Sequence, residues 1–241
     1  MSELPNKFTK PLGIKAYGSI CHLPGSRLGP ADHKLNPGQA RILTQKARDK
    51  HDVVIVQEKL DGSNVAVTRV DGTLIPIGRA GYPAISSKYE QHRHFANWVF
   101  ENMSRFEFLT EGERLCGEWL AQAHGTRYQL THEPFVVFDI MRGAERTNYD
   151  HLRRRVEPPR FVLPKLLSHG PPITIEQILK LLGERGFHGA LDPAEGAVWR
   201  VERKGVVDFL GKFVRPDKKD GCYLPELSGG EEIWNWRPAK L

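Results

Sequence analysis

Long apolar runs are missing from this chain: none approaches the roughly 18 residues a membrane-spanning helix needs, so no membrane partner is expected. The opening Met1-Ser2-Glu3-Leu4-Pro5 lacks the apolar centre of a signal peptide. Cysteine is scarce: Cys21, Cys116 and Cys222 are odd in number, far apart and without metal-ligand spacing, which points to a reducing cytosol. Internal repeats and low-complexity linkers are also absent. What remains are 241 residues of ordinary globular composition, enough for a sizeable core. The formal net charge of +6 suits a polyanionic partner without requiring one.

The most informative stretch runs from Val53 to Val70. An apolar β-branched run ends in Gln57-Glu58-Lys59, Leu60-Asp61-Gly62-Ser63-Asn64 follows, and a second alternating run continues from Val65. Asp-Gly between two such runs predicts a β-hairpin, on which Lys59 is either a solvated surface lysine or a nucleophile held at a strand end. Asp71-Gly72 then predicts a third strand, Leu74 to Gly81, completing a meander that carries Arg79 among small residues.

Elsewhere, Asn36-Pro37 reads as a helix start, with a helix to about Arg48 whose inner face holds Ala40, Leu43 and Ala47. Ser87 with Glu90 reads as a capping box for a helix to about Asn102 burying Phe95, Trp98 and Val99, with Lys88, His92 and Arg93 on its other face. Thr174 with Gln177 caps another helix ending near Gly183 or Gly186. Strands are expected at 114–120, 135–140, 195–202 and 208–215, and residues 142–170 read as charged surface structure. Strands mixed irregularly with a few helices predict an α+β fold with mainly antiparallel sheets and flanking helices. One domain over residues 1–241 is expected, with 1–50 as an N-terminal extension and 216–241 as a tail.

Lys59, Arg79, Glu118, Glu195 and Lys212 each interrupt a strand pattern whose neighbours predict burial. A buried charge is costly unless paired, so each alone reads as a salt-bridge partner. Together they suit a site of both signs: two lysines and an arginine for a polyphosphate, two glutamates for a ribose hydroxyl and a divalent cation. A lysine among other cations loses proton affinity and becomes a usable nucleophile near neutral pH. The chemistry expected is attack of Lys59 on an α-phosphate with pyrophosphate leaving.

In chain order, Lys59-Leu60-Asp61-Gly62-Ser63-Asn64, Arg79, Gly117-Glu118-Trp119, Phe135 to Ile140, Glu195-Gly196-Ala197-Val198 and Leu210 to Arg215 resemble the successive motifs of the covalent nucleotidyltransferase superfamily. Glu58-Lys59-Leu60-Asp61-Gly62-Ser63-Asn64 and Phe135-Val136-Val137-Phe138-Asp139 look most like RNA ligases of the T4 RNA ligase 2 type. The resemblance implies ATP as donor, Mg²⁺ (or Mn²⁺) as cofactor, and a catalytic set of Lys59, Glu195 and Lys212. Lys59 would carry AMP, and Gln57, Glu58 and Leu60 would lie at the nucleotide. Asn64 would help place the RNA ends, Arg79 would contact phosphate or sugar, and Glu118 the ribose. Phe138 would stack on adenine, Glu195 would serve the metal, and Lys212 would hold the α-phosphate. AMP would pass to an RNA 5′-phosphate and be displaced by a 3′-hydroxyl.

Two features depart from the pattern. A second motif V lysine is replaced by Val214, with Arg215 one place further on. The chain also stops soon after that motif, so no C-terminal OB domain is expected. RNA contacts are expected from Asn64, Lys88, Arg93 and Arg215, from the basic N-terminal loop and from Lys218-Lys219. A DNA or DNA–RNA hybrid ligase, or a non-catalytic RNA-binding protein on the same scaffold, are the competing readings. A cytoplasmic location is expected.

Overall fold

The computed structural model describes residues 9–238. In chain order its elements are β1 (Cys21–His22), α1 (Pro37–Thr44), β2 (Asp52–Lys59), β3 (Ser63–Val70), β4 (Thr73–Gly78), α2 (Glu90–Glu101), β5 (Glu113–Trp119), β6 (Phe135–Arg142), β7 (Glu145–Arg146), α3 (Tyr149–Val156), β8 (Leu166–Gly170), α4 (Ile175–Leu182), β9 (Gly196–Arg203), β10 (Val206–Val214) and α5 (Pro225–Ser228). They form two five-stranded sheets, ordered β1-β10-β9-β2-β8 and β4-β3-β5-β6-β7. Between these strands the pairings are antiparallel except that of β1 with β10. The mainly antiparallel α+β expectation is met.

Strand alternation gives each sheet one face for a core and one for the other sheet. In the first sheet, Val54, Val56, Trp199 and Val201 pack with Leu43 of α1 and Ile178 of α4. In the second, Val65, Leu115, Trp119, Phe135 and Val137 pack with Phe95, Trp98 and Val99 of α2 and Leu152 and Val156 of α3. The remaining faces look toward each other across a cleft.

The sequence-predicted hairpin at Lys59 does not form. β2 pairs with β8 and β9, β3 pairs with β4 and β5, and Leu60-Asp61-Gly62 carries the chain between the sheets. A two-residue hairpin turn needs positive φ, which neither Asp61 nor Gly62 adopts; Asp71 and Gly72 do, at 49° and 73°, and there β3 and β4 form a hairpin. The three-strand meander is thereby corrected to that hairpin alone.

The cap of α1 is as expected, Asn36 accepting from Gln39 N–H at 2.8 Å, but the helix ends at Thr44 and Ala47 lies beyond it. The Thr174–Gln177 capping box is present. Ser87 is not the cap of α2: Tyr89 occupies that position, and Ser87 Oγ accepts from Tyr89 N–H and bonds His92 Nδ1. Residues 142–170 are more than surface, contributing β7, α3 and β8; Leu152 and Val156 are fully buried, and Arg155 pairs with Glu113 at 2.7 Å.

Candidate active site

Between the sheets lies a cleft of about 780 Å³. Gln57, Glu58, Lys59, Leu60, Asn64, Arg79, Glu118, Phe138, Glu195 and Lys212 all line it. The register explains how. On the first sheet Val198 stands opposite both Gln57 and Lys212, and Gly196 stands opposite both Lys59 and Val214. On the second, Asn64 stands opposite Glu118. Sequence-distant charges thus meet because their strands are neighbours.

Lys59 Nζ donates to Glu195 Oε2 at 2.6 Å and to Leu60 O at 3.3 Å. Burial opposes its charge, but the carboxylates of Glu195, Glu118 and Asp61 outweigh it and raise its proton affinity above the ordinary lysine value. This corrects the expectation of a lysine activated by surrounding cations. Burial likewise pushes Glu118 and Glu195 up to about 7, despite the nearby ammonium. Lys212 is shifted the other way, by burial and then by the Lys59 charge.

The turn after Lys59 is fixed from behind. Asp61 Oδ2 accepts from Gly125 N–H at 3.0 Å and Thr126 Oγ1 at 3.1 Å, and lies 3.4 Å from Lys218 Nζ. Lys218 is therefore a buried partner of the Asp-Gly turn, not a solvated RNA contact. Gly62 N–H donates to Glu118 Oε1 at 3.2 Å, and a Cβ on Gly62 would sit 2.5 Å from Trp119 O. Only glycine lets the chain pass so close to β5.

Behind β2, Glu58 accepts from Phe187 N–H at 3.0 and 3.3 Å, and its carboxyl is pushed up to about 7 by burial. His188 lies 4.0 Å from it. Lys165 N–H donates to His188 Nε2, which leaves Nδ1 to donate to His132 Nε2 at 2.9 Å, and His132 Nδ1 then donates to Glu133 O. Those partners assign both imidazoles as neutral.

Several residues that sequence reasoning missed belong here. Arg200 crosses from the first sheet to Asp139 of the second, whose carboxylate also accepts from Tyr17 O–H at 2.6 Å and Arg146 Nε at 3.3 Å. Val198 faces the cleft from the first sheet, as Phe138 does from the second. Asp32 lies 3.4 Å from Lys212 Nζ and 3.1 Å from His22 Nε2, so the N-terminal loop reaches the motif V lysine. The only advance signals were an acid inside an apolar strand at Asp139 and an arginine inside one at Arg200. Asn64 Oδ1 is buried with no hydrogen-bond partner among the described residues.

Of the residues expected at RNA, Lys88, Arg93 and Arg215 stand outside the cleft lining. Arg93 donates to the carbonyls of Ser87 and Lys88, and Arg215 to Gly183 O at 3.3 Å. Arg215 therefore does not stand in for the cation missing at Val214.

A family model described as RNA ligase matches residues 52–214. Among solved structures, an archaeal ATP-dependent RNA ligase superposes with a TM-score of 0.53 at 16% identity, over 82% of this chain and 48% of that one. Two mutants of the Naegleria gruberi RNA ligase, one with ATP and Mn and one with AMP and Mn, give 0.53 at 18% identity. They cover 81% and 83% of this chain and 59% and 60% of their own. At such identities the likeness is one of fold, and the chain spans about half to three fifths of those proteins' lengths. No curated protein sequence matches it.

Proposed function

Because this chain belongs to the RNA ligase family, we propose that it is an ATP-dependent RNA ligase in which Lys59 is the nucleophile. The observation that carries the reading is the placement of Lys59 within 2.6 Å of Glu195, on the same sheet face as Lys212 and across the cleft from Glu118.

Lys59 attacks only as the free amine, its proton passing through the Glu195 carboxylate, 2.6 Å away, to solvent. Its nitrogen then bonds the α-phosphorus of ATP while the bond to pyrophosphate breaks. An RNA 5′-phosphate oxygen next displaces the lysine, and a 3′-hydroxyl oxygen displaces AMP, releasing its proton. Lys212 neutralises the α-phosphate where negative charge develops, and Arg79 meets phosphate or sugar. The adenine ring lies between Phe138 and Val198, with Gln57, Glu58 and Leu60 around it, and Glu118 accepts from the ribose. Asn64, with its free Oδ1, positions the RNA ends.

The residues present suit a divalent cation. Among the described residues no group of three or more His, Cys, Asp or Glu forms a metal site. Mg²⁺, however, uses one or two carboxylates together with substrate phosphates, and a buried Glu195 and a partly exposed Glu118 face the cleft with their proton affinities raised by desolvation. Mg²⁺ or Mn²⁺ at Glu195 would supply charge neutralisation to the triphosphate. The substrate is RNA with 5′-phosphate and 3′-hydroxyl ends, in the cytoplasm.

Sealing of matched nicked substrates tests this. The all-RNA nick should be joined with ATP and Mg²⁺ faster than the all-DNA nick. Faster DNA joining would make the protein a DNA ligase, and no joining of either by protein that binds RNA would leave a binding protein.

A further inference from the structure

The mouth of the cleft carries aromatic rings and lysines that the adenylation chemistry does not use. Tyr82 and Tyr89 line the cleft yet are 45% and 41% exposed. Lys10 Nζ stands 5.1 Å from the centre of the Tyr82 ring, and Lys88 Nζ 4.9 Å from that of Tyr89. Among the described residues neither lysine pairs with a carboxylate.

A lysine stem along a tyrosine is common on protein surfaces. Position and rigidity set this pair apart. Gly78 N–H donates to Tyr82 O, Gly81 N–H donates to Gly78 O, and Gly81 adopts φ +92° against Ile14 O, so the turn bearing Tyr82 is locked. Arg93 ties down the backbone of Ser87 and Lys88, and His92 meets the Tyr89 ring edge-on at 5.7 Å. Tyr82 follows β4, whereas Phe138 lies on β6, in the sheet order β4-β3-β5-β6. Three strand spacings put β4 about 14 Å from β6, so the turn that follows β4 is a separate wall of the cleft from the one carrying Phe138.

We propose that this rim is a binding site for single-stranded RNA, in which Tyr82 and Tyr89 stack on unpaired bases while Lys10 and Lys88 take the flanking phosphates. It deepens the ligase reading and rests on it for the identity of the polynucleotide. Half-exposed rings offer a face to a base only if that base is unpaired. The two unpaired ammonium groups supply the charge complement to the RNA backbone.

The test is binding of a fluorescent single-stranded oligoribonucleotide, without ATP, alongside lysyl-AMP formation measured separately. Tyr82→Ala and Tyr89→Ala should each weaken binding about fivefold or more. Tyr82→Phe and Tyr89→Phe should stay within twofold, and all four should form lysyl-AMP at the wild-type rate. Combining Lys10→Gln with Lys88→Gln should flatten the salt dependence of binding by about 1.4 in log–log slope. Alanine variants within twofold of wild type, losses equal in the phenylalanine variants, or tighter wild-type binding to the fully paired duplex would each overturn the proposal. Thermal melts of the variants separate lost contacts from lost folding. Protein that shows tyrosine-dependent RNA binding but never takes AMP would sink the ligase reading alone. Adenylated protein indifferent to the tyrosines would sink this one alone.

Discussion

The Asp139–Arg200 pair joins the two sheets across the base of the cleft, and truncating its two ends should have unequal costs. Asp139 is fully buried and Arg200 is 4% exposed. In Asp139→Ala the guanidinium keeps, among the described residues, the carbonyls of Thr147 and Phe138, at 3.2 Å each, and Glu202 at 3.8 Å. That strands most of a buried charge and should cost about 3–5 kcal/mol. In Arg200→Met the carboxylate retains Tyr17 O–H and Arg146, so the loss should be nearer 1–3 kcal/mol. The double variant leaves neither charge behind and should be clearly less destabilised than the sum of the two. Urea denaturation provides the three values. For a chain of this size about 2–4 °C of Tm accompany each kcal/mol, so Asp139→Ala should melt at least about 6 °C below wild type. Equal single-variant costs below about 1 kcal/mol, or an additive double variant, would refute the reasoning.

Two further predictions concern the cleft walls. Glu58 moves from 4.5 to about 7 on folding because it is buried, so its protonated form stabilises the fold below pH 4.5, and that contribution is lost as pH rises through 7. Glu58→Gln should therefore gain stability relative to wild type as pH rises from 4.5 to 8, by at most about 3 kcal/mol; urea midpoints that stay parallel across that range would contradict it. Lys212 pairs with Asp32 at 3.4 Å, and Asp32 is partly exposed. Lys212→Ala should accordingly change stability by about 1 kcal/mol or less while slowing lysyl-AMP formation at least about 100-fold. Matched losses of stability and rate would make Lys212 a structural residue.

The strands were readable because β-branched runs and period-2 alternation report burial locally, and the helix caps at Asn36 and Thr174 report backbone hydrogen bonding within three residues. The hairpin at Lys59 was misread for the same reason. Asp61-Gly62 carries the letters of a turn, but Asp61 is claimed by Gly125, Thr126 and Lys218, more than sixty residues away in sequence, and such a claim leaves no local trace. α3 and β8 were hidden by charge: Arg153, Arg154 and Arg155 suggest a solvated stretch, yet the helix buries Leu152 and Val156 on its other side. In the site, charges interrupting apolar strands were visible one by one. Their signs were not enough to give the electrostatics, because it is the register of β2 with β9 that sets Glu195, rather than a cation, against Lys59. Asp32 and His22 offered no signal, since their loop meets Lys212 only after β1 pairs with β10.

The most direct test of the account is incubation of the protein with Mg²⁺ and ATP labelled on the α-phosphate, without RNA, followed by denaturation. The account predicts acid-labile label on the wild-type chain and none on Lys59→Ala that circular dichroism shows to be folded. Label retained by Lys59→Ala would contradict it. So would a wild-type chain that takes no label even after pyrophosphate has stripped any AMP it already carries.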